Sequence, residues 1–542
     1  MISIANTKAS QRRPFPGKIS QMPLHFLRRL RVAGIGFFVI FSFLLVPGVH
    51  AADLAVLQPE SFGHYIVHFN TTTNENVTNA IPNAQSWDWL RRNIPFFSCP
   101  DRDVEEMYYF RWWSFRKHIV RTPDGFAITE FLTPVPWAGA DNTISCAAGH
   151  HLMEGRWLRD PRYIEDYIRF WLRGDQGRPQ PKFHAYSSWF AAAVYHCYLV
   201  NHDQSFVTNV LGDLIANYRQ WERDRRLPNG LFWQYDVRDG MEESISGSRH
   251  ARNMRPTINS YMFGNARAIA AIARLAGDKK TAREFEEKAA RLRELVQDNL
   301  WNPTAKFFEV RRPDGSLSDV REEIGFIPWY FRLPEPGKGY EAAWSQLTNP
   351  EGFEAPCGIT TAEQRSPYFR SHGYGHCEWD GAVWPFATSQ TLTALANLLQ
   401  NYSQTVITRR DYYDAFLTYV KSQHAGGRPY IGEYLDETTG QWINRGERSR
   451  FYNHSTFADL LVTGVAGLIP RPDNVVEVDP LLPSGVWDWF CLDGLKYHGR
   501  NLTILWDKTG GHFHRGQGLT VLADGREIAH ANQLTKLTGT LP

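Results

Sequence analysis

Cysteine is scarce in this chain, six residues among 542, and Cys99, Cys146, Cys197, Cys357, Cys377 and Cys491 stand too far apart for a zinc ribbon or a redox CxxC pair. Histidine clusters only as His150–His151 and His372/His376, without a carboxylate or third histidine at ligand spacing. No metal is therefore expected. No GxxxxGK[ST] or GxSxG occurs, which removes the phosphate-cradling loop and the serine nucleophile elbow, and no cofactor is called for. The formal charge is only +2, spread over 59 bases and 57 acids, so no basic field exists to hold a nucleic acid. No internal repeat is legible, which argues against a regular solenoid.

One local absence is informative. Residues 1–31 contain no acid but carry Lys8, Arg12, Arg13, Lys18, Arg28, Arg29 and Arg31, and the apolar run VAGIGFFVIFSFLLVPGV follows directly. That is the pattern of a secretory signal, with Val49 and Ala51 meeting the small-residue cleavage rule. The alternative is an uncleaved anchor that leaves the body lumenal, the one case in which a membrane is a partner. Sequons at Asn70, Asn76, Asn401, Asn453 and Asn501, with an even cysteine count, suit an oxidising compartment and disulfides of unassigned pairing. The chain divides as 1–51 targeting segment, 52–85 polar lead, 86–470 helical body and 471–542 small β domain.

What the chain has in excess is aromatic surface, 14% of residues with 19 Trp and 23 Tyr, whose flat faces suit sugar rings as well as cores. Helical patterning runs through the body in about eleven segments, near 101–119, 143–157, 160–173, 185–201, 205–224, 259–275, 278–300, 339–347, 380–401, 408–423 and 453–468. Some, such as YMFGNARAIAAIARLAG, are apolar nearly all round, whereas DKKTAREFEEKAARLRELVQDNL is strongly amphipathic. Such alternation predicts concentric layers, a mainly α fold built as an (α/α)6 toroid. From 471 onward, prolines and strand-like alternation predict a small C-terminal β-sandwich. A monomer is expected.

Two loops carry the chemistry. RDGMEESISG places Asp239, Glu242 and Glu243 between two predicted helices, in a segment whose aromatics include Trp233. GGRPYIGEYLDETTGQW places Glu433 between Tyr430 and Tyr434. Glycoside hydrolysis needs such a pair, one carboxyl protonated and one ionised, and aromatic surroundings favour the protonated form. RDGMEESISG followed by RPTINSYMFGNARAIAAIARLAGD, CEWDGAVWPFATSQTLTALANLL and YIGEYLDETTGQW, in that order, resemble the boxes of the six-hairpin glycosidases, specifically glycoside hydrolase family 63 and its mannosylglycerate hydrolase-like relatives, with more distant similarity to trehalases.

The resemblance implies an inverting glycosidase with Glu242 as general acid and Glu433 as general base, acting on a carbohydrate. The chain departs from the family pattern at four places: Glu242 stands for the usual Asp, Glu243 for the Asn that follows it, the usual Glu is shifted to Asp239, and Asp380 replaces an Arg. Asp239, Glu243, Trp233, Asn259, Tyr261, Trp379, Asp380 and Trp384 are candidate substrate contacts, joined by Arg111 and Trp112 from MYYFRWWSFRKHI. Two rival readings remain: an inactive carbohydrate-binding relative, sustained by the Asp380 and Glu242 exchanges, and a polysaccharide lyase on the same toroid.

Overall fold

The computed structural model describes residues 55–371, 377–444 and 446–542. The targeting segment read at 1–51 and the pair His372/His376 lie outside them. Eleven helices of eight or more residues occur among the described residues: α1 Gly63–Thr72, α2 Ser86–Asn93, α3 Arg102–Lys117, α4 Ala148–Gly155, α5 Arg162–Arg173, α6 Phe190–Asn201, α7 Leu211–Arg225, α8 Pro256–Leu275, α9 Lys279–Leu300, α10 Pro385–Asn401 and α11 Arg409–Ser422.

Local chemistry sets their limits. Pro256 and Pro385 open α8 and α10 at a position where a missing N–H costs nothing. Asp278 caps α9 by accepting from the Thr281 amide, and Thr408 with Asp411 forms a capping box on α11. Burial then sorts the helices into layers. α8 is buried along almost its whole length, while α9 packs on it through Phe285, Leu292 and Val296 and turns its charges outward.

The inner layer closes on itself. α4 meets α6, α6 meets α8, α8 meets the short helix Ile327–Tyr330, and that meets α10. α10 touches the turn Ala458–Leu460, which returns to both α3 and α4. This is the toroid.

Three expectations shift. The stretch 52–85 is not only a polar lead, because α1 lies in it and buries Ile66 and Phe69, the latter against Phe110 and Trp113 of α3. The segment 339–347 is a 3-10 stretch, Tyr340–Gln346. The helix anticipated over 453–468 begins only at Ala458, because the buried Glu154 carboxylate accepts the amides of Phe457, Ala458 and Asp459 and fixes the start there.

The tail forms two sheets. Val475–Val478 lies between Leu468–Ile469 and Leu537–Thr540, all antiparallel. Trp489–Tyr497, Arg500–Asp507, Gly518–Ala523 and Arg526–Ala531 form an antiparallel meander, joined on its open edge by Phe96–Ser98 from far upstream. The six cysteines are free thiols, which corrects the disulfide reading. Cys99, Cys146, Cys197 and Cys491 are each buried singly, and Cys146 and Cys197 face backbone carbonyls of Asp239 and Leu152. Two sequons are also corrected. The Asn453 amide is buried and donates to Thr129 O, and the Asn70 amide donates to Asn83 O and the Ser86 hydroxyl.

Candidate active site

The acid loop is built on a stop. The short helix Asp236–Asp239 ends at Gly240 with φ 71°, and a Cβ there would lie 2.5 Å from Cys146 Sγ, so only glycine makes this turn against this neighbour. Beyond it the chain is pinned twice. Arg255 Nε donates to Asp239 Oδ2 at 2.6 Å, both side chains being fully buried, and the Thr257 hydroxyl donates to the same oxygen. Ser246 is held by Glu322 through amide and hydroxyl, and Asn253 Nδ2 donates to Ser246 O at 3.0 Å. Between the pins Glu242 is half-buried. Glu243 takes a φ of 67° and its Oε1 accepts from Arg249 at 3.0 Å, at a more exposed edge.

The second loop is held by short β pairs. Tyr434–Leu435 pairs with Trp442–Ile443, and Leu435 exchanges two backbone bonds of 3.0 Å with Val383 of the GAVWP segment. Trp379, Trp384 and Tyr434 stack in succession, centroids 4.4 and 4.5 Å apart, and form the wall beside Glu433. Glu433 itself is buried, and its Oε2 accepts from Arg448 Nη2 at 2.8 Å and from the Ser449 hydroxyl at 3.0 Å.

Electrostatics ties the loops together. Burial, followed by the charges of Glu433 and Asp236, pushes Glu242 up to about 7. Burial raises Glu433 too, but the Arg448 guanidinium and the Ser449 hydroxyl oppose the rise, so its ionised form has a dedicated cation. A third carboxyl joins them. Glu130 is buried, its Oε1 accepts from the Tyr452 hydroxyl at 2.7 Å, and its Oε2 has no protein partner. Burial, with the charges of Glu433 and Glu242, pushes it up to about 8.

Open space lies beside this cluster. A cavity of about 290 Å³ is lined by Cys377, Asn444, Gly446, Arg448 and Ser449. A second, of about 540 Å³, is lined by Trp137, Tyr186, Arg238 and neighbours. Trp137, 41% exposed, bridges the two, since the Arg448 guanidinium lies 5.6 Å from its ring.

Several anticipated sugar contacts are instead structural. Arg111 is buried and spends its guanidinium on Tyr419, Gln423 and Ser455. Trp112 is wholly inside the core. Trp233 is buried with the guanidiniums of Arg225 and Arg252 against its ring. Asn259 staples α8 to Phe232 through two bonds of its amide, with a third to Arg255 O, and Tyr261 accepts from Gln390 beneath Trp189. Asp239 belongs to the buried pair with Arg255. Asp380 is fully buried, its backbone carbonyl accepting from the amide of Arg370, whose guanidinium lies 2.7 Å from Glu378.

The sequence reading noted Glu130 and Trp137 beside the aromatic helix without giving them a site role, and did not single out Tyr452 or Arg448. Glu130 follows the strand Gly125–Ile128, in a hairpin with no motif of its own. Only a lone acid in an aromatic, proline-containing stretch pointed to it.

Among the described residues no group of three or more His, Cys, Asp or Glu side chains has the arrangement of a metal site. His150 packs edge-on against Trp189 and Phe386, and His151 bonds to Tyr167 and to Asn453 O.

Comparison with known proteins fits this geometry. The mannosylglycerate hydrolase MGH1-like glycoside hydrolase domain matches residues 140–455, and the glycosyl hydrolase family 65 C-terminal domain matches residues 471–530. A solved structure named "Sialidase" is 51% identical with a TM-score of 0.89, the match covering 91% of this chain and 46% of that one. The chain thus spans a little under half the length of that relative. The family 63 mannosylglycerate hydrolase of Thermus thermophilus, solved with Tris, aligns at a TM-score of 0.51 and 14% identity over 66% of this chain and 100% of its own. The family 78 rhamnosidase of a Bacillus species aligns at 0.51 and 12% identity over 77% and 40%. These last two likenesses are of fold alone. With three carboxyls, two buried and one half-buried, on loops of a helical toroid and a family match over more than half its length, the chain belongs to the mannosylglycerate hydrolase MGH1-like glycoside hydrolases.

Proposed function

We propose that the enzyme releases a terminal sugar from a glycan or small glycoside with inversion, Glu242 protonating the leaving oxygen and Glu433 activating water. The observation that carries this is the asymmetry of the pair. Glu242 feels the charge of Glu433, yet only Glu433 has a cation and a hydroxyl on its carboxylate, whereas Glu242 is raised to about 7. One is therefore prepared to be a base and the other an acid at neutral pH. Glu130, raised further, is neutral there and can donate through Oε2 to a sugar hydroxyl. Trp137 offers an exposed face for the leaving portion. The basic, acid-free N-terminus with its apolar run supports a translocated body, and we propose a monomer.

A panel of glycosides tests this, with sialosides, mannosylglycerate and rhamnosides included because relatives bear those names. Proton NMR of the first product should show the opposite anomer to the substrate. Retention of configuration would instead mean carboxyls about 5 Å apart, rather than the roughly 6.5–9.5 Å that leaves room for water. Glu433→Gln should lower kcat by more than about 1,000-fold and leave sugar binding intact. Full activity in that variant would remove Glu433 from the mechanism.

A further inference from the structure

The largest of the cavities described, about 660 Å³, is not at the carboxyls. It lies toward the other end of the inner helices. α8 starts beside the acid loop at Pro256, and the cavity is lined by its later residues, Phe263 to Arg274. α10 starts beside Trp384, and the cavity touches its final turns at Asn397 and Asn401. At 1.5 Å per residue, the middle of this lining, near Ala268, is about 14 Å along α8 from Asn259, roughly two and a half helical turns.

Its walls are basic. Five arginines, Arg267, Arg274, Arg293, Arg332 and Arg471, line it against two glutamates. Glu286 is taken by Arg274, and Glu477 by Arg471 and Lys536. Arg267, Arg293 and Arg332 pair with no carboxylate of the described residues. Their protein bonds go to neutral oxygens: Arg267 Nη1 to Phe331 O at 3.0 Å, Arg293 Nη2 to Arg332 O at 3.4 Å, and Arg332 Nη1 to Asn401 Oδ1 at 3.2 Å. Arg293 Nε is buried with no partner at all.

The three cations also act on each other. Burial, then the charges of Arg332 and Arg293, bring Arg267 down to about 10. Folding thus assembles like charges around a space and gives these three no carboxylate partner among the described residues. Arg332 reaches its place with a φ of 53°, a left-handed backbone that disfavours a long side chain. Both features point to a group that arrives from outside. Guanidinium forks match the paired oxygens of a carboxylate or phosphate, and a volume of several hundred Å³ suits a small organic molecule. Tyr195, Phe331, Pro470 and Pro472 supply apolar wall, and the amides of Asn397 and Asn401 lie on the rim.

We infer that this basin is a second binding site, for a sugar-sized molecule carrying an oxyanion group, gripped by Arg267, Arg293 and Arg332. It is independent of the hydrolytic assignment of Glu242 and Glu433. The oxyanion can come from a uronate carboxylate or from a sugar phosphate.

Isothermal titration of the full chain with digalacturonate, glucose 6-phosphate, inorganic phosphate and a neutral disaccharide distinguishes the sources. One of the two organic anions should bind, more weakly at high salt. Its affinity should fall at least tenfold in Arg267→Gln and in Arg332→Gln, while kcat/KM on an aryl glycoside at the front pocket is unchanged. Inorganic phosphate binding as tightly as the organic anions would reduce the basin to an adventitious anion site, and equal binding of the neutral disaccharide would dismiss the charge. No binding, or binding that survives both substitutions, would overturn the inference. Because each substitution relieves repulsion, Tm should hold or rise. If either variant fails to fold, Arg267→Lys keeps the charge but loses the fork, and it should still weaken binding severalfold.

Discussion

A carboxylic acid that donates a proton near neutral pH needs burial and a neighbouring negative charge, and a carboxylate that acts as base needs a cation it can keep. On the proposed assignment Glu242 and Glu433 divide these conditions between them, which gives the pH dependence a sign. The acid form of Glu242 is lost as pH rises through about 7, so kcat/KM should fall on that side. Glu433 must be ionised, so activity should also fall on the acidic side. Arg448 favours the ionised form, and Arg448→Gln removes that support. Glu433 then titrates higher, so the acidic limb should move to higher pH and the bell should narrow, with the alkaline limb in place. An acidic limb that stays where it was, or moves down, would show that Glu433 is not the group titrating there. Of the residues proposed for the site, Glu242 and Glu433 were singled out in the sequence because each sits in a motif. Glu130 was not, because it meets Tyr452 only when segments 322 residues apart converge, and Arg448 was not, because it sits in no motif although it is only 15 residues beyond Glu433.

At the scale of elements, helix existence was readable and loop anchoring was not. Apolar periodicity marked α8 and α9, and Pro256 and Asp278 marked their starts. The aromatic helix α3 was legible too, but periodicity cannot say whether a ring meets a sugar or a core, and Trp112 meets the core. The segment 453–457 also misled. The predicted helix was carried back over NHSTF, which holds a single apolar residue, whereas a glutamate some three hundred residues upstream decides where that helix begins. The acid loop depends on one conformational requirement, the left-handed Gly240 against Cys146. Gly240→Ala should cost at least about 1 kcal/mol of stability, because an L residue pays for positive φ and the new methyl has no room. It should also displace Glu242, so kcat should drop more than thermal denaturation explains. Restoration of kcat by the added substitution Cys146→Gly, which opens that space, would tie the loss to the clash. A Gly240→Ala enzyme with unchanged kcat and Tm would mean that the loop is not held here.

At the scale of the molecule, the composition shift at 471 marked a β region packed on the helical body, and the contacts show how closely the two are tied. Phe96–Ser98 is a strand of the C-terminal meander, paired in register with Asp493, Leu492 and Cys491. Asp493 accepts the amides of Val56 and Leu57 at 2.7 and 2.8 Å and the Thr503 hydroxyl at 2.6 Å, so segments from far apart in the chain meet on one buried carboxylate. Arg159 Nε donates to Gly494 O, and the His498 amide to Val200 O. A three-residue strand carries no sequence signal, so this interlock was invisible before the fold was known. Its consequence is cooperativity. Deleting 471–542 would strip the partner from Phe96–Ser98 and uncover Phe97, which is buried against Trp487. The truncated protein should lose its sharp thermal transition and bind a hydrophobic dye, while the intact chain should melt once, with calorimetric and van't Hoff enthalpies that agree. Two resolved transitions in the intact chain, or a truncated toroid that melts sharply and still hydrolyses substrate, would show that the β region is an appendage and that the site is held by the helical ring alone.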